Sequence, residues 1–215
     1  ALVGRFCPCL VCKSQLDSFA SCSWSWSLDF WFNRLVRHGG TAQSYALEQI
    51  THIYMPKVHS FFDPATNTIS HLVVDEATKA CAVIDSVLDY EPNAAKISYE
   101  SADAIIDLIE KQGLHVEWII ETHAHADHLS AAPYIQSKLG GKIAIGESIK
   151  IVQEVFGKVF NFGTEFARDA SQFDHLFKDG EVFTLGSIQG RAIYTPGHTP
   201  ADMTYLIGDA AFVGD

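Results

Sequence analysis

The pattern of hydrophobic and polar positions predicts strands at both ends of residues 55–215 and helices between them. Short runs rich in β-branched and aromatic residues, bounded by turn-forming residues, are typical of strands. These runs are KVHSFF (57–62), SHLVVD (70–75), CAVIDS (81–86), HVEWIIE (115–121), KIAIG (142–146), EVFTLG (181–186), IQGRAIYT (188–195), MTYLIG (203–208) and AAFVGD (210–215). The polar stretch DYEPN (89–93) is predicted to be a loop, and residues 158–180 a polar excursion.

The same pattern predicts a helix that begins shortly after residue 98. Ala102, Ile105, Ile106 and Ile109 follow the i, i+3, i+4, i+7 spacing of one helix face, and Gly113 is suited to end it. Two further helices are predicted within SAAPYIQSKLGG (130–141) and ESIKIVQEVFG (147–157). Strands that alternate with helices in the middle and follow one another at the ends predict an α/β (α+β) domain with mixed sheets covered by helices.

The composition changes near Met55. Residues 1–54 hold four of the five cysteines and three of the four tryptophans, with four basic and three acidic residues; residues 55–215 hold eleven basic and twenty-three acidic residues. We therefore predict two parts. Residues 1–54 are a leader foreign to the domain, disordered or artefactual and without chemistry, and residues 55–215 form the functional domain.

The net charge of −11 argues against two classes of partner. Nucleic acids and anionic membranes are both bound through basic surface, so neither is expected. No apolar run reaches the roughly 20 residues that span a bilayer. The small number of cysteines after Met55 fits a reducing compartment, so a cytoplasmic location is predicted.

The segment ETHAHADHLSA (121–131) follows a predicted strand and concentrates metal-binding side chains. In an extended chain alternate side chains point the same way, so His123 and His125 can aim at one point beyond the strand end, with Asp127 continuing that side. His128 lies near the start of the next helix. Imidazole and carboxylate are preferred ligands of zinc and of non-haem iron, so this segment predicts a metal site.

Two later strand ends carry residues of the same type. The turn Pro196-Gly197 presents His198, and AAFVGD delivers Asp215. Either residue alone would be read as a turn residue. Three successive strand ends with metal-binding residues instead favour one crevice to which all three contribute.

With these motifs in order, the sequence resembles the metallo-β-lactamase superfamily. The resemblance rests on THAHADH (122–128), TPGHT (195–199) and GD (214–215), and on AVIDS (82–86), whose Asp85 corresponds to the residue that supports the metal loop. It implies an αββα sandwich with the site at the edge between two mixed sheets. Within the superfamily the chain looks most like the persulfide dioxygenases and the bacterial β-lactamase hydrolase-like proteins.

This finer resemblance implies an iron-dependent enzyme of sulfide detoxification. One Fe(II) would be held by His123, His198 and Asp215, and the substrates would be O₂ and glutathione persulfide or a similar small persulfide, oxidised to sulfite. His125, Asp127 and His128 would then orient the ligands. In the alternative, a zinc-dependent thioesterase like glyoxalase II, the same three residues would bind metal, and one or two zinc ions would replace iron. The resemblance also allows a homodimer.

The sequence departs from the family pattern at its end. Superfamily members continue past the fourth motif to a fifth-motif histidine, whereas this sequence ends on Asp215. We therefore expect a truncated chain, with a sandwich incomplete at the C-terminus. A third reading, an inactive fragment, stays open, as does the choice between iron and zinc.

Overall fold

The computed structural model describes the backbone of residues 3–5 and both backbone and side chains of residues 55–163 and 165–215. Apart from Val3–Arg5, which forms the short strand β1, the predicted leader lies outside the described residues. The prediction that it carries no chemistry stays a prediction.

A six-stranded mixed sheet forms the centre of the domain. In spatial order its strands are β10 (His175–Phe177), β9 (Lys142–Gly146), β7 (His115–Ile120), β4 (Ala80–Ile84), β3 (Thr68–Val74) and β2 (Lys57–Asp63). The first four are mutually parallel, β3 is antiparallel to β4, and β2 is antiparallel to β3. Every residue of β4 is buried, which matches its continuous apolar sequence and its place inside the sheet.

A second, antiparallel sheet lies against the first. Its strands, in spatial order, are β1, β14 (Ala210–Phe212), β13 (Met203–Ile207), β12 (Ile188–Tyr194) and β11 (Val182–Leu185). In β12 the buried residues Ile188, Gly190 and Ala192 alternate with exposed Gln189 and Arg191. This alternation is that of a strand with one face on the core and one toward solvent, as its sequence predicts.

Both faces of the central sheet are covered. Between the sheets, Ile84 and Ile120 pack with Tyr205 and Phe212 in one buried cluster. The opposite face packs against two helices, and a third helix packs near β9. These are α1 (Glu100–Gln112), α2 (Ala132–Leu139) and α3 (Ile149–Val159).

The helix α1 confirms the predicted periodicity. Its buried residues are Ala102, Ile105, Ile106 and Ile109, the four that the spacing assigns to one face. Gly113 ends it in the left-handed conformation, with φ of 61°, and its N–H contacts the carbonyls of the last turn. None of the helices in the described part of the chain is long and apolar enough to cross a membrane.

Two predictions around the central sheet were wrong. DYEPN is not entirely a loop, because its first three residues end strand β5 (Val87–Glu91), which pairs with β6 (Lys96–Ser98) and β8 (Leu129–Ser130) in a small third sheet. In these two strands only Val87 is buried, so the hairpin lacks the apolar signal of a strand. The polar excursion likewise contains β10, a strand of only three residues.

The strand ends that were expected to form a crevice meet at one edge of the domain. The backbone N–H of Asp85, directly after β4, donates to the carbonyl of Ile120 at the end of β7 (3.0 Å). The N–H of Met203 in the second sheet donates to the carbonyl of Thr122 (3.0 Å). These two bonds bring the ends of β4, β7 and β13 together and so position the loops of the site.

Candidate metal centre

Three side chains from three separate strand ends converge. His123 follows β7, His198 lies in the loop after β12, and Asp215 follows β14; one potential ligand atom from each lies within 4.8 Å of the others. His123 Nε2 is 3.8 Å from Asp215 Oδ2, and the rings of His123 and His198 meet edge to face with their centroids 5.0 Å apart. The structure thus brings together the three residues that the resemblance assigns to iron; their binding of a metal stays a prediction.

The ring of His123 is oriented by a chain of two hydrogen bonds. Thr122 Oγ1 donates to Asp85 Oδ2 (2.9 Å) and lies 2.9 Å from His123 Nδ1. A hydroxyl has one hydrogen, and here Asp85 accepts it, so Thr122 Oγ1 accepts from the Nδ1–H of His123. In the neutral imidazole this leaves a lone pair on Nε2, the atom nearest Asp215.

The environment of His123 suits a metal ligand. Burial, followed by the nearby charge of His125, lowers the pKa of His123, so the ring is neutral at physiological pH. Its Nε2 is buried and has no hydrogen-bond partner among the described residues. A buried polar atom without a partner is costly, and a metal ion held with His198 and Asp215 would satisfy it. The donor set therefore fits Fe(II) or Zn(II).

A second group, His125, Asp127 and His128, lies beside the first, with its ligand atoms also within 4.8 Å of one another. The ring centroids of His125 and His128 are 4.2 Å apart, and those of His125 and His123 4.1 Å. The six residues predicted for the site therefore form one continuous cluster of two groups of three.

His125 is held between two buried carboxylates. Its Nε2 lies 3.1 Å from Asp85 Oδ1 and 3.0 Å from Glu121 Oε2. Burial alone would lower the pKa of His125, but these hydrogen bonds and the two negative charges raise it to about 10. Burial would raise the pKa of Asp85, but the hydrogen bond and the positive charge of His125 lower it. Ser130 donates to the other oxygen of Glu121 (2.5 Å) and fixes that side chain.

Thr68 supports the other two members of the second group. Its hydroxyl donates to Asp127 Oδ2 (2.9 Å), and His128 Nδ1 lies 3.3 Å from the same carboxylate oxygen. Burial would raise the pKa of Asp127, but the bond from Thr68 and the proximity of His128 lower it to about 2. His128 Nε2 is buried and, within the described residues, has no hydrogen-bond partner.

The loop that presents His198 is shaped by Asp202. Both carboxylate oxygens of Asp202 accept from the N–H of Thr199 (3.0 and 2.9 Å), and the Thr199 hydroxyl donates to the same group. The backbone carbonyl of Asp202 accepts from the N–H of Thr195 (3.0 Å). These bonds close the loop across its base and hold His198 at its exposed tip.

Gly214 allows Asp215 to approach the site. Its φ is +69°, a conformation that residues with a Cβ rarely adopt, and a Cβ placed there would lie 2.8 Å from Thr122 Oγ1 and 3.4 Å from His123 Nδ1. Only glycine therefore lets the end of β14 pass so close to the residues that orient His123.

Sequence reasoning missed three supporting residues. Glu121 lies two positions before His123 and therefore has the same i, i+2 spacing that predicted His123 and His125. The same spacing predicts that Glu121 belongs to the site. Thr68 and Asp202 carry no such signal, because their contacts depend on how distant segments pack. His175 lies in β10, where its ring contacts that of Trp118 and its Nε2 lies 2.8 Å from Glu181 Oε1.

The fold and the donor set agree with the comparisons to known proteins. The profile of the metallo-beta-lactamase superfamily matches residues 66–215, and the chain belongs to this superfamily. Its members are metal-binding proteins, and the mixed α/β architecture described above is theirs.

Three curated relatives illustrate the range of similar proteins. A probable metallo-hydrolase of Burkholderia pseudomallei is 52% identical over 168 residues, which cover 74% of this chain and 57% of the relative. A beta-lactamase hydrolase-like protein of Xylella fastidiosa is 48% identical (76% and 38% covered). The human mitochondrial persulfide dioxygenase ETHE1 is 26% identical (85% and 56% covered). The chain thus covers between 38% and 57% of the length of these relatives.

A solved structure shows the same fold. ETHE1 from Myxococcus xanthus superposes with a TM-score of 0.57 at 24% identity, over 74% of this chain and 57% of that protein. The expected resemblance to the superfamily, to persulfide dioxygenase and to the hydrolase-like proteins is thereby confirmed.

Proposed function

We propose that the protein to which this domain belongs is an iron-dependent persulfide dioxygenase. The observation that carries the proposal is the convergence of His123, His198 and Asp215 from three strand ends, with a buried, unpartnered Nε2 on His123. Two imidazoles and one carboxylate on one side of an ion leave its other positions open for substrates, as in non-haem iron oxygenases.

The reaction would be RSSH + O₂ + H₂O → RSH + SO₃²⁻ + 2H⁺, in which the outer sulfur is oxidised and dioxygen is reduced. Iron, when bound, supplies the redox chemistry. Asp85 and Thr122 fix the ring of His123, and Asp202 fixes the loop of His198. The contacts of His125 with Asp85 and Glu121 hold the segment that carries His123, His125 and His128 in place.

A groove of about 730 Å³ beside the second group is suited to a small thiol carrier. Its volume lies in the range of small-molecule sites. His125, Asp127 and His128 line one end, and the hairpin of β5 and β6 lines another. The acidic residues around it are Asp63, Asp89, Glu91, Glu100 and Asp127. The ammonium group of a carrier such as glutathione would lie against them, whereas its two carboxylates would have to point away from them.

The relatives support the proposal only in part. One of them is named a persulfide dioxygenase, but two more similar relatives carry names of hydrolases. We further propose that the protein works in the cytoplasm, without nucleic acid or membrane as partners, which rests on its acidic charge and on the few cysteines after Met55.

Thioester hydrolysis by one or two zinc ions is the second candidate. The observation that favours it is the second group, in which His128 also has a buried Nε2 without a partner among the described residues. Two adjacent donor sets could hold two metal ions, which would supply a nucleophile and polarise a carbonyl.

One experiment separates the two candidates. Full-length protein is purified without oxygen, its metal is determined, and O₂ uptake is followed with glutathione persulfide, then hydrolysis with a glutathione thioester. We expect about one iron per chain and O₂ uptake that His198→Ala abolishes. His175→Ala, which removes a histidine outside the cluster, should leave uptake unchanged. Two zinc ions, thioester hydrolysis and no O₂ uptake would instead establish the hydrolase.

A further inference from the structure

A second, smaller cavity adjoins the histidine cluster on the side of the helices. Its volume is about 240 Å³. It lies between the start of α2, strand β9 and the start of α3, and its apolar lining includes Ala132, Ile143, Ile145, Ile149 and Phe173. The polar side chains that line it are those of Glu121, His123, His125, His128, Ser130 and Gln172. His123 and His128 each have a buried Nε2 without a hydrogen-bond partner among the described residues. The cavity therefore borders both donor groups.

The lining and the size of this cavity restrict what it can take. Its surface is mostly apolar, and the three isoleucines are almost fully buried. A persulfide carrier is polar and charged, so entering an apolar cavity would cost it hydration. The cavity is also smaller than the roughly 300 Å³ at which sites for drug-sized ligands begin. A small apolar molecule fits both limits.

The groove and the apolar cavity differ in size and polarity, as the persulfide and dioxygen do. His125 and His128 line both cavities, but the groove is large and acidic, whereas the second cavity, which also borders His123, is small and mostly apolar. A polar carrier and an apolar gas would thus reach the cluster from different sides. Neither would have to leave before the other enters.

We propose that the apolar cavity is the dioxygen site of this protein and that Ile149 limits its size. The inference rests on the proposed dioxygenase function and adds to it the place from which O₂ reaches the cluster. Ile149 is suited to this role because it begins α3, is 4% exposed and packs against Ile145 on β9.

Xenon is the first probe, because it occupies apolar cavities and needs no catalytic activity. Crystals of the protein are pressurised with xenon, with whichever metal they contain, and the bound gas is located by its anomalous scattering. We expect a xenon atom among Ile143, Ile145 and Ile149. No xenon in this cavity would overturn the inference, whatever the enzyme does.

The second test measures kinetics as a function of O₂ concentration. Ile149→Phe places a larger side chain in the cavity and should raise the KM for O₂ by about tenfold, while the KM for the persulfide stays unchanged. Val152→Phe is the matched control. Val152 lies one turn further along α3, is also 4% exposed and belongs to the same buried cluster, but it does not line the cavity. If Val152→Phe does not fold, Val152→Leu replaces it.

The outcomes separate this inference from the proposed function. An unaltered protein that consumes no O₂ would overturn both. An active protein whose KM for O₂ is the same in Ile149→Phe would overturn the dioxygen site alone. Equal increases in Ile149→Phe and Val152→Phe would also overturn it, because the effect would then come from distortion of α3.

Discussion

Asp85 accepts two hydrogen bonds from Thr122, one from its backbone nitrogen at 2.7 Å and one from its hydroxyl at 2.9 Å. One buried carboxylate thereby fixes both the backbone and the side chain of the residue that precedes His123. The non-glycine φ of +50° at Asp85 shows that its backbone accepts an unfavourable conformation to reach this position. The contact ties the end of β4 to the metal loop.

Replacing Asp85 should weaken metal binding. The carboxylate of Asp85 accepts from the backbone N–H and the hydroxyl of Thr122 and from His125 Nε2. Asp85→Asn leaves only one acceptor oxygen for these three donors and turns an amide N–H₂ toward one of them. Partners that orient metal ligands are each worth about 10- to 100-fold in metal affinity, so we expect a loss in that range. The affinity is measured by titrating metal-free protein with Zn²⁺ or Fe²⁺ against a chelator.

The control for this substitution is Asp75→Asn. Asp75 and Asp85 are each 2% exposed, but they flank opposite ends of β4. Asp75→Asn should therefore reduce stability and leave metal affinity unchanged. Equal affinities of Asp85→Asn and the unaltered protein would show that Asp85 does not orient His123.

Asp202 should act on the metal through the loop of His198. In Asp202→Asn the bonds to Thr199 are weakened, and His198 at the exposed loop tip is less well placed. We expect metal affinity to fall about tenfold and the free energy of unfolding by about 1–3 kcal/mol. Chelator competition and urea unfolding measure the two effects. Asp209→Asn, in the next turn, should change neither, and an unchanged metal affinity in Asp202→Asn would contradict the role of Asp202.

The sequence predicted those parts of the fold that rest on local regularity. The face of α1 follows from the spacing of Ala102, Ile105, Ile106 and Ile109, because a helix places them on one side whatever surrounds it. The hairpin of β5 and β6 did not follow, since its exposed side chains carry no alternation of apolar and polar residues. Its existence depends on pairing with β8 after a long stretch of chain.

The candidate site, too, could be predicted from the sequence only in part. His123 and His125 were found from their alternation in one short segment. The convergence of His198 and Asp215 on His123 was expected from their places at successive strand ends and from the family motifs. Local spacing also suggested that His123 and His125 aim at a common point. In the structure His125 Nε2 turns to Asp85 and Glu121. Of these two buried carboxylates, Glu121 lies in the same segment as His125, whereas Asp85 is brought near the ring only by tertiary packing.

Gly214→Ala should displace Asp215 from the cluster. The new Cβ would meet Thr122 Oγ1 at 2.8 Å, and the positive φ adds a backbone penalty of about 1 kcal/mol. We expect weaker metal binding together with lower stability. Gly180→Ala separates the two causes, because Gly180 has a φ of +74° but open space where its Cβ would lie. It should lower stability alone; an equal loss of metal affinity in both variants would contradict a local clash.

The carboxylate of Asp75 joins the two sheets. It accepts from the backbone N–H and the hydroxyl of Ser187, each at 2.7 Å, and from the hydroxyl of Thr78 at 2.7 Å. Ser187 lies in the turn between β11 and β12, so the contact fastens the β3–β4 turn to the second sheet. Burial would raise the pKa of Asp75, but these hydrogen bonds lower it to about 2.

This shift predicts how stability depends on pH. A carboxyl group whose pKa is lower in the folded than in the unfolded state stabilises the fold above its unfolded pKa of about 4, and this contribution is lost as the pH falls toward 2. At pH 6 we expect Asp75→Asn to lower the free energy of unfolding by about 2 kcal/mol. Urea unfolding of both proteins between pH 6 and pH 2 should show the difference shrinking below about pH 4. Taking the difference between the two proteins removes the contributions of other carboxylates, such as Asp127. A difference that stays constant down to pH 2 would mean that Asp75 does not stabilise the fold through its charge.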